Sequence, residues 1–95
     1  PIDDVKGCYP SHRGAGYLFG IDITKNFLEN NNLSILIRGH EPCNEGVEVR
    51  HNGLILTIFS RKGAPYYNEK ADYIKLNLQE KIESAKQLID KAFKF

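Results

Sequence analysis

The chain has 95 residues, with 13 basic and 12 acidic side chains and a formal charge of +1. That near balance excludes the clustered Lys/Arg excess of a nucleic-acid footprint, so no nucleic-acid partner is expected. No apolar run approaches the roughly 18 residues that a membrane span needs, and no membrane partner is expected. The length allows one domain at most, and a domain of this size buries only about 60–65% of its unfolded surface, so its core is thin. Two cysteines, Cys8 and Cys43, are too few for a disulfide framework. A reducing compartment, cytoplasm and/or nucleus, is the expectation. The polar opening Pro1-Ile2-Asp3-Asp4 has neither Met nor capping signal and reads as the continuation of a larger domain.

Residues 1–20 are loop-like, punctuated by Gly7, Pro10, Gly14, Gly16 and Gly20, with one apolar patch at Tyr17-Leu18-Phe19. Arg13 sits inside this glycine-rich run. It is either a solvated surface residue or a guanidinium fork that a tight loop holds for an anion. Asp22 is placed to cap a helix over residues 23–30, with Ile23 and Phe27 on one face and Asn30-Asn31-Asn32 as the stop. Residues 33–37 then form a buried central strand, which makes a helix–turn–strand α/β unit. The strand runs into Arg38-Gly39-His40, which sets an imidazole at its C-terminal end. That histidine is either a hydrogen-bonded structural residue or a functional one.

Beyond a loop over 42–46, Val47-Glu48-Val49-Arg50 alternates as a half-buried strand does. His51-Asn52-Gly53 carries the Asn-Gly hairpin signal and is expected to leave His51 in solvent. Residues 54–59 read as a second central strand, 60–70 as a loop rich in Gly, Pro and Tyr, and 71–78 as a last strand. The expectation over 47–78 is a three-stranded antiparallel meander. In the tail, Leu78, Ile82, Ala85, Ile89 and Phe93 recur at helical spacing, which predicts an amphipathic helix over 79–95. Its apolar face would pack on a parent domain or a partner such as a regulatory subunit.

Cys8-x3-His12 and His40-x2-Cys43 pair the residue types that zinc favours, at unusual spacings. No Ser/His/Asp set, P-loop or dinucleotide fingerprint is present. His40 alone cannot hold a catalytic dication, which needs several ligands, so any further ligands lie elsewhere.

The run Ser11-His12-Arg13-Gly14-Ala15-Gly16-Tyr17-Leu18-Phe19-Gly20, then Phe27-Leu28, Arg38-Gly39-His40-Glu41, Gly46 and Leu56-Thr57-Ile58-Phe59-Ser60, resembles the PPP family of serine/threonine protein phosphatases, which includes type 1, type 2A and calcineurin. Pro1, Asp4-Val5 and Gly7 fit the segment that starts at the Pro of the family's Ser-Asp-Pro. The likeness covers about residues 1–78, in the family's motif order. It implies an α/β (α+β) metallophosphatase fold, of which this chain is the C-terminal third of the catalytic domain: part of a central β-sandwich flanked by helices, followed by the tail at 79–95. It implies two divalent metal ions of the manganese, iron or zinc kind, bridged by a water or hydroxide that attacks phosphoserine or phosphothreonine in protein substrates. His40 matches a ligand of the second metal, Arg13 the arginine that holds substrate phosphate oxygens, and Arg38 a supporting residue.

Two departures stand out. After Phe59-Ser60 the family continues Ala-Pro-Asn-Tyr-Cys, whose Tyr lines the active-site rim. Here Ala64-Pro65-Tyr66-Tyr67 resembles that motif displaced by a three-residue insertion, Arg61-Lys62-Gly63. The alignment places Tyr67 at the rim tyrosine, and an ungapped one would place Ala64 there. The upstream Asp-x-His, Gly-Asp-x-x-Asp-Arg-Gly and Gly-Asn-His-Glu motifs, which supply the other metal ligands and the proton donor, are absent from this sequence. This chain therefore needs the N-terminal remainder of a catalytic domain to turn substrate over, and by itself is expected to be inactive. Two other readings stand beside this one: a non-catalytic phosphatase-like interaction module, and a zinc-stabilised module built on Cys8, His12, His40 and Cys43.

Overall fold

A computed structural model describes residues 1–12, 14–39, 41–77 and 79–94. Arg13, His40 and Leu78, all singled out by the sequence, lie outside the described residues, as does Phe95.

The N-terminal loop region folds into a small hairpin. Strand β1 (Cys8–Pro10) pairs antiparallel with β2 (Tyr17–Phe19), from Cys8↔Phe19 to Pro10↔Tyr17. The Ser11 amide donates to the Gly16 carbonyl (3.0 Å) and closes the turn. Two backbones then meet at Gly20, where a Cβ would lie 2.1 Å from the Val5 carbonyl oxygen, so only glycine fits. Helix α1 (Ile21–Asn30) starts on Gly20 with no side-chain cap. It therefore begins at Ile21, not Ile23, and Asp22 is not its cap. Both Asp22 carboxylate oxygens instead accept the Gly7 amide, each at 3.0 Å. That bond holds the Asp22 carboxyl below the usual carboxylate range. The asparagine stop is as expected, with Asn32 left-handed (φ 55°).

Strand β3 (Leu36–Arg38), β4 (Val47–Arg50) and β5 (Ile55–Ile58) form one sheet in the order β3–β5–β4. The β4–β5 pair is the expected hairpin, antiparallel from Val47↔Ile58 to Arg50↔Ile55. The third partner differs from expectation. Strand β3 lies parallel to β5, from Leu36↔Ile55 to Arg38↔Thr57. The predicted third strand of the meander, β6 (Asp72–Ile74), instead leaves to pair with β7 (Ala92–Lys94). A central strand needs apolar residues on both faces, and Ile55-Leu56-Thr57 is buried throughout. The parallel partner already occupies the edge of β5 that the meander would have used.

The turn between β4 and β5, His51–Gly53, is left-handed from its first residue, His51 (φ 52°). Asn52 takes the left-handed conformation that Asn-Gly predicts (φ 56°). His51, expected in solvent, is 1% exposed. Its Nε2 lies 2.9 Å from the Ile2 carbonyl oxygen, which can only accept, so Nε2 carries the proton. In the neutral ring Nδ1 accepts from the Thr24 hydroxyl at 2.7 Å. The His51 amide donates to Asp3 Oδ1 (3.0 Å). Sequence alone misplaces His51 because its burial comes from residues 1–3 and α1, both remote along the chain.

In the tail, helix α2 spans only Ala85–Ile89, and the chain then turns into β7, so the helix predicted over 79–95 does not form as one element. Ser84 and Gln87 make a reciprocal capping box that starts α2 late. The buried stripe is Ala85 and Leu88, and Ile89 and Phe93 are substantially exposed. Leu56, Ala85 and Leu88 form the core cluster, with Ile35, Val47, Val49, Ile74 and Ile82 packed around it. The short sheet of β6 and β7 is held by stacked Tyr73 and Phe93 rings, with centroids 5.0 Å apart. Lys94 Nζ reaches the buried Asp72 carboxylate at 2.9 Å.

Two substitutions test this architecture in the intact protein that carries the chain. Leu88→Ala empties the centre of the core and should cost about 2–5 kcal/mol, read as a lowered urea midpoint. Gly46→Ala forces a left-handed φ (+82°) on a side chain whose Cβ would lie 2.2 Å from Asp72 Oδ1. It should cost at least about 2 kcal/mol, and an unchanged midpoint would contradict the packing of β6 on this loop.

Candidate functional site: the shared edge of β3 and β5

Parallel pairing puts the C-terminal ends of β3 and β5 at one edge of the sheet, and antiparallel pairing brings the start of β4 to the same edge. The loop over 39–46 must therefore arch across the end of β5 on its way from β3 to β4. Its far end is fixed by two bonds: the Gly46 amide donates to the Cys43 carbonyl (2.9 Å), and the Phe59 amide to the Gly46 carbonyl (2.8 Å). Loops at the carboxyl ends of parallel strands are where α/β sheets place ligands.

At this edge the N-terminal hairpin meets the end of β3. Ser11, Ala15, Gly16, Tyr17, Arg38 and Glu41 are among the residues lining a cleft of ≈ 490 Å³. Chain neighbours of Arg13 and of His40, far apart in sequence, thus line one cavity. Arg13 and His40 themselves lie outside the described residues. Arg38, which the resemblance gives a supporting role, donates from Nη1 to Thr57 Oγ1 (3.1 Å), and its Nη2 lies 3.2 Å from Glu41 Oε1. The guanidinium therefore ties β3 to β5 and to the residue after position 40. Thr57 was missed as a member of this network, although a lone hydroxyl in the apolar run Ile55-Leu56-Thr57-Ile58 is a visible sign of an internal polar contact.

The loop that follows β5 rises beside the arch. Gly63 and Asn68 form an isolated antiparallel bridge, the Gly63 amide donating to the Asn68 carbonyl at 3.2 Å. The Tyr67 amide donates to the Gly63 carbonyl at 2.6 Å. The side chain of Asn68 is buried and donates to the Cys43 carbonyl (2.8 Å), which pins the loop to the arch. Nothing in the sequence distinguishes Asn68, since its partner lies 25 residues away. Tyr66 packs edge-on against Phe59 with centroids 5.1 Å apart. Tyr67, the residue aligned with the family's rim tyrosine, is 77% exposed with φ 56°.

The two cysteines have unlike settings. Cys8 is exposed on β1. Cys43 is buried in the arch, near the carbonyls of Glu41 (3.6 Å) and Thr57 (3.9 Å), and burial pushes its thiol up to about 11. A thiol held protonated in this way is a poor metal ligand at neutral pH. Among the described residues, no three His, Cys, Asp or Glu side chains group to hold a metal. A larger cleft of ≈ 910 Å³ on the opposite side is lined by Asp3, Lys6, Arg50, His51 and Lys86, among others. Its imidazole is committed to Thr24 and Ile2, and Arg50 pairs with Asp3 (3.8 Å) and Glu48 (3.0 Å), so it offers less chemistry than the shared edge.

Residues 1–44 match the family described as calcineurin-like phosphoesterase. Serine/threonine-protein phosphatase 5 of Arabidopsis thaliana is 53% identical over 63 residues, 66% of this chain and 11% of the relative. Serine/threonine-protein phosphatase with EF-hands 1 of Mus musculus is 45% identical over 76 residues, 76% of this chain and 11% of the relative. Among solved structures, a protein serine/threonine phosphatase from Saccharomyces cerevisiae with similarity to human phosphatase PP5 matches with a TM-score of 0.62 and 35% identity, over 73% of this chain and 22% of that one. The chain thus spans about a tenth of the length of the curated relatives it matches. The mixed α/β architecture accords with a piece of the metallophosphatase fold. Motif order, sequence identity and fold agree in making the chain similar to a segment of PPP-family serine/threonine phosphatases.

Proposed function

We propose that the protein to which this chain belongs is a metal-dependent serine/threonine protein phosphatase that hydrolyses phosphomonoesters of phosphoserine and phosphothreonine proteins. One observation carries the reading: sequence that is 53% identical to a serine/threonine phosphatase folds so that the neighbours of Arg13 and of His40 line one cleft. In this reading Arg13 grips phosphate oxygens through its fork of N–H donors. His40 is the one metal ligand that this chain contributes, and the other ligands come from motifs outside it. Among the described residues no three potential ligands group together, and in this reading the dication pair is held in the assembled catalytic domain. Bound there, the metals would lower the pKa of an attacking water and neutralise the phosphate. The chain's own residues hold the frame: Arg38 braces β3 against β5, and Asn68 fixes the loop that bears Tyr67. With two cysteines in the chain, a cytoplasmic or nuclear location is part of this reading.

In the full-length protein, His40→Ala should reduce bound metal, measured by elemental analysis, and lower phosphopeptide turnover by at least ~100-fold. Arg13→Ala should leave metal content intact and lower kcat/KM by ~10²–10³-fold, with Arg13→Lys a poor substitute because it loses the bidentate fork. A full-length wild type that binds metal and hydrolyses no phosphoester would instead support a non-catalytic phosphatase-like module. Retained turnover in His40→Ala would remove that residue from the site.

A further inference from the structure

Residues of the N-terminal hairpin and of the end of β3 line the cleft at the shared strand edge. The charged pair there, Arg38 and Glu41, meets at 3.2 Å, and Arg38 also donates to Thr57, so the guanidinium is committed to the fold. Tyr17 stands apart among the lining residues. Strand alternation puts it on the same face of β2 as Phe19. The Phe19 ring packs edge-on against His51, with centroids 5.8 Å apart. Tyr17, at the opposite end of the strand, is 72% exposed, and among the described residues its ring and hydroxyl have no hydrogen-bond or aromatic partner. It is nonetheless well mounted. Its backbone pairs with Pro10 in the hairpin, and the Ser11–Gly16 bond (3.0 Å) closes the turn directly before it. A large aromatic side chain with few rotatable bonds, carried on a paired strand, offers contact area at little entropic cost. Its apolar ring and polar tip suit a contact that is half in water.

We propose that Tyr17 is a specificity-determining residue, whose ring receives a bulky apolar side chain next to the phosphorylated residue of the substrate. This inference rests on the phosphatase reading and narrows its substrates to phosphoprotein segments with such neighbours. Tyr17 follows Arg13, the proposed phosphate grip, by four residues, and a fully extended chain of that length reaches at most ~14 Å. An extended substrate covers the same distance in about four residues, so the ring is within reach of those that flank the phosphate. Because the charged pair in the cleft is spent on itself, discrimination at this wall comes from burying apolar surface against the ring.

The test compares, on the full-length protein, two phosphopeptides that differ only in Leu or Ser on either side of phosphoserine. Wild type should favour the Leu peptide in kcat/KM by about three- to tenfold, the range for partly burying one such side chain. Tyr17→Phe should retain the preference, since the ring is kept. Tyr17→Thr, chosen because threonine suits a strand, should bring the ratio close to one by slowing the Leu peptide. Equal use of both peptides by wild type overturns the proposal, as does a preference that survives Tyr17→Thr. Loss of folding in Tyr17→Thr, or a lowered urea midpoint with both peptides impaired alike, also overturns it, because the ring then packs on the rest of the catalytic domain. If wild type hydrolyses neither peptide, the phosphatase reading fails and this inference falls with it.

Discussion

Strand β5 sets the terms for the rest of the chain, because it is the strand flanked on both edges and buried on both faces. Ile55 and Leu56 are inaccessible to solvent and Thr57 nearly so. With β3 parallel on one side and β4 antiparallel on the other, both inter-strand connections are constrained. The link from β4 is a tight turn at one edge. The link from β3 must pass over the other edge, across the end of β5. Chemistry-bearing loops collect at that second edge because two strands finish there and one begins.

The arch over β5 is a crowded crossing, and glycine and a buried charge mark the crowding. Gly46 sits against Asp72 so closely that no Cβ fits. Asp72 is fully buried and is met by Lys94 from β7, whose ammonium also reaches the Glu45 carbonyl at 2.6 Å. Removing the lysine would leave an uncompensated charge, which costs more than the pair itself supplies. The C-terminal strand is therefore bound to the arch by electrostatics as well as by its pairing with β6. The tail is thus fastened to the shared strand edge.

What the sequence made legible were features whose causes are local. The Asn-Gly turn, the strand at 47–50, the strand expected over 54–59 and found at 55–58, and the asparagine stop of α1 depend on a few adjacent residues each and were legible for that reason. The family motifs were legible too, because they survive as contiguous runs such as Ser11–Gly20. The misreadings have non-local causes. Asp22 looked like a cap, yet a distant amide, that of Gly7, claims both of its oxygens. The tail has a helical spacing of apolar residues from 78 to 93, yet the late capping box at Ser84 and Gln87 and the pairing with β6 convert most of it to other structure. Ser-x-x-Gln before an apolar residue was a visible sign of that late start. The strand order was hidden, since periodicity identifies strands and leaves their partners open.

Strand topology also explains why His51, expected in solvent, is buried. Arg38-Gly39-His40 comes off the carboxyl end of β3, and Arg50-His51 comes off the carboxyl end of β4. Because β4 runs opposite to β3, these two ends lie at opposite edges of the sheet. At the β4 edge, residues 1–3 and α1 close over the turn, and the His51 ring spends both nitrogens on Ile2 and Thr24. An imidazole so used is a strut and has no lone pair left for a metal or a substrate. At the β3 edge a cleft opens beside Arg38, which is braced on Thr57 and Glu41. Strand direction, more than local sequence, thus makes His51 a structural histidine.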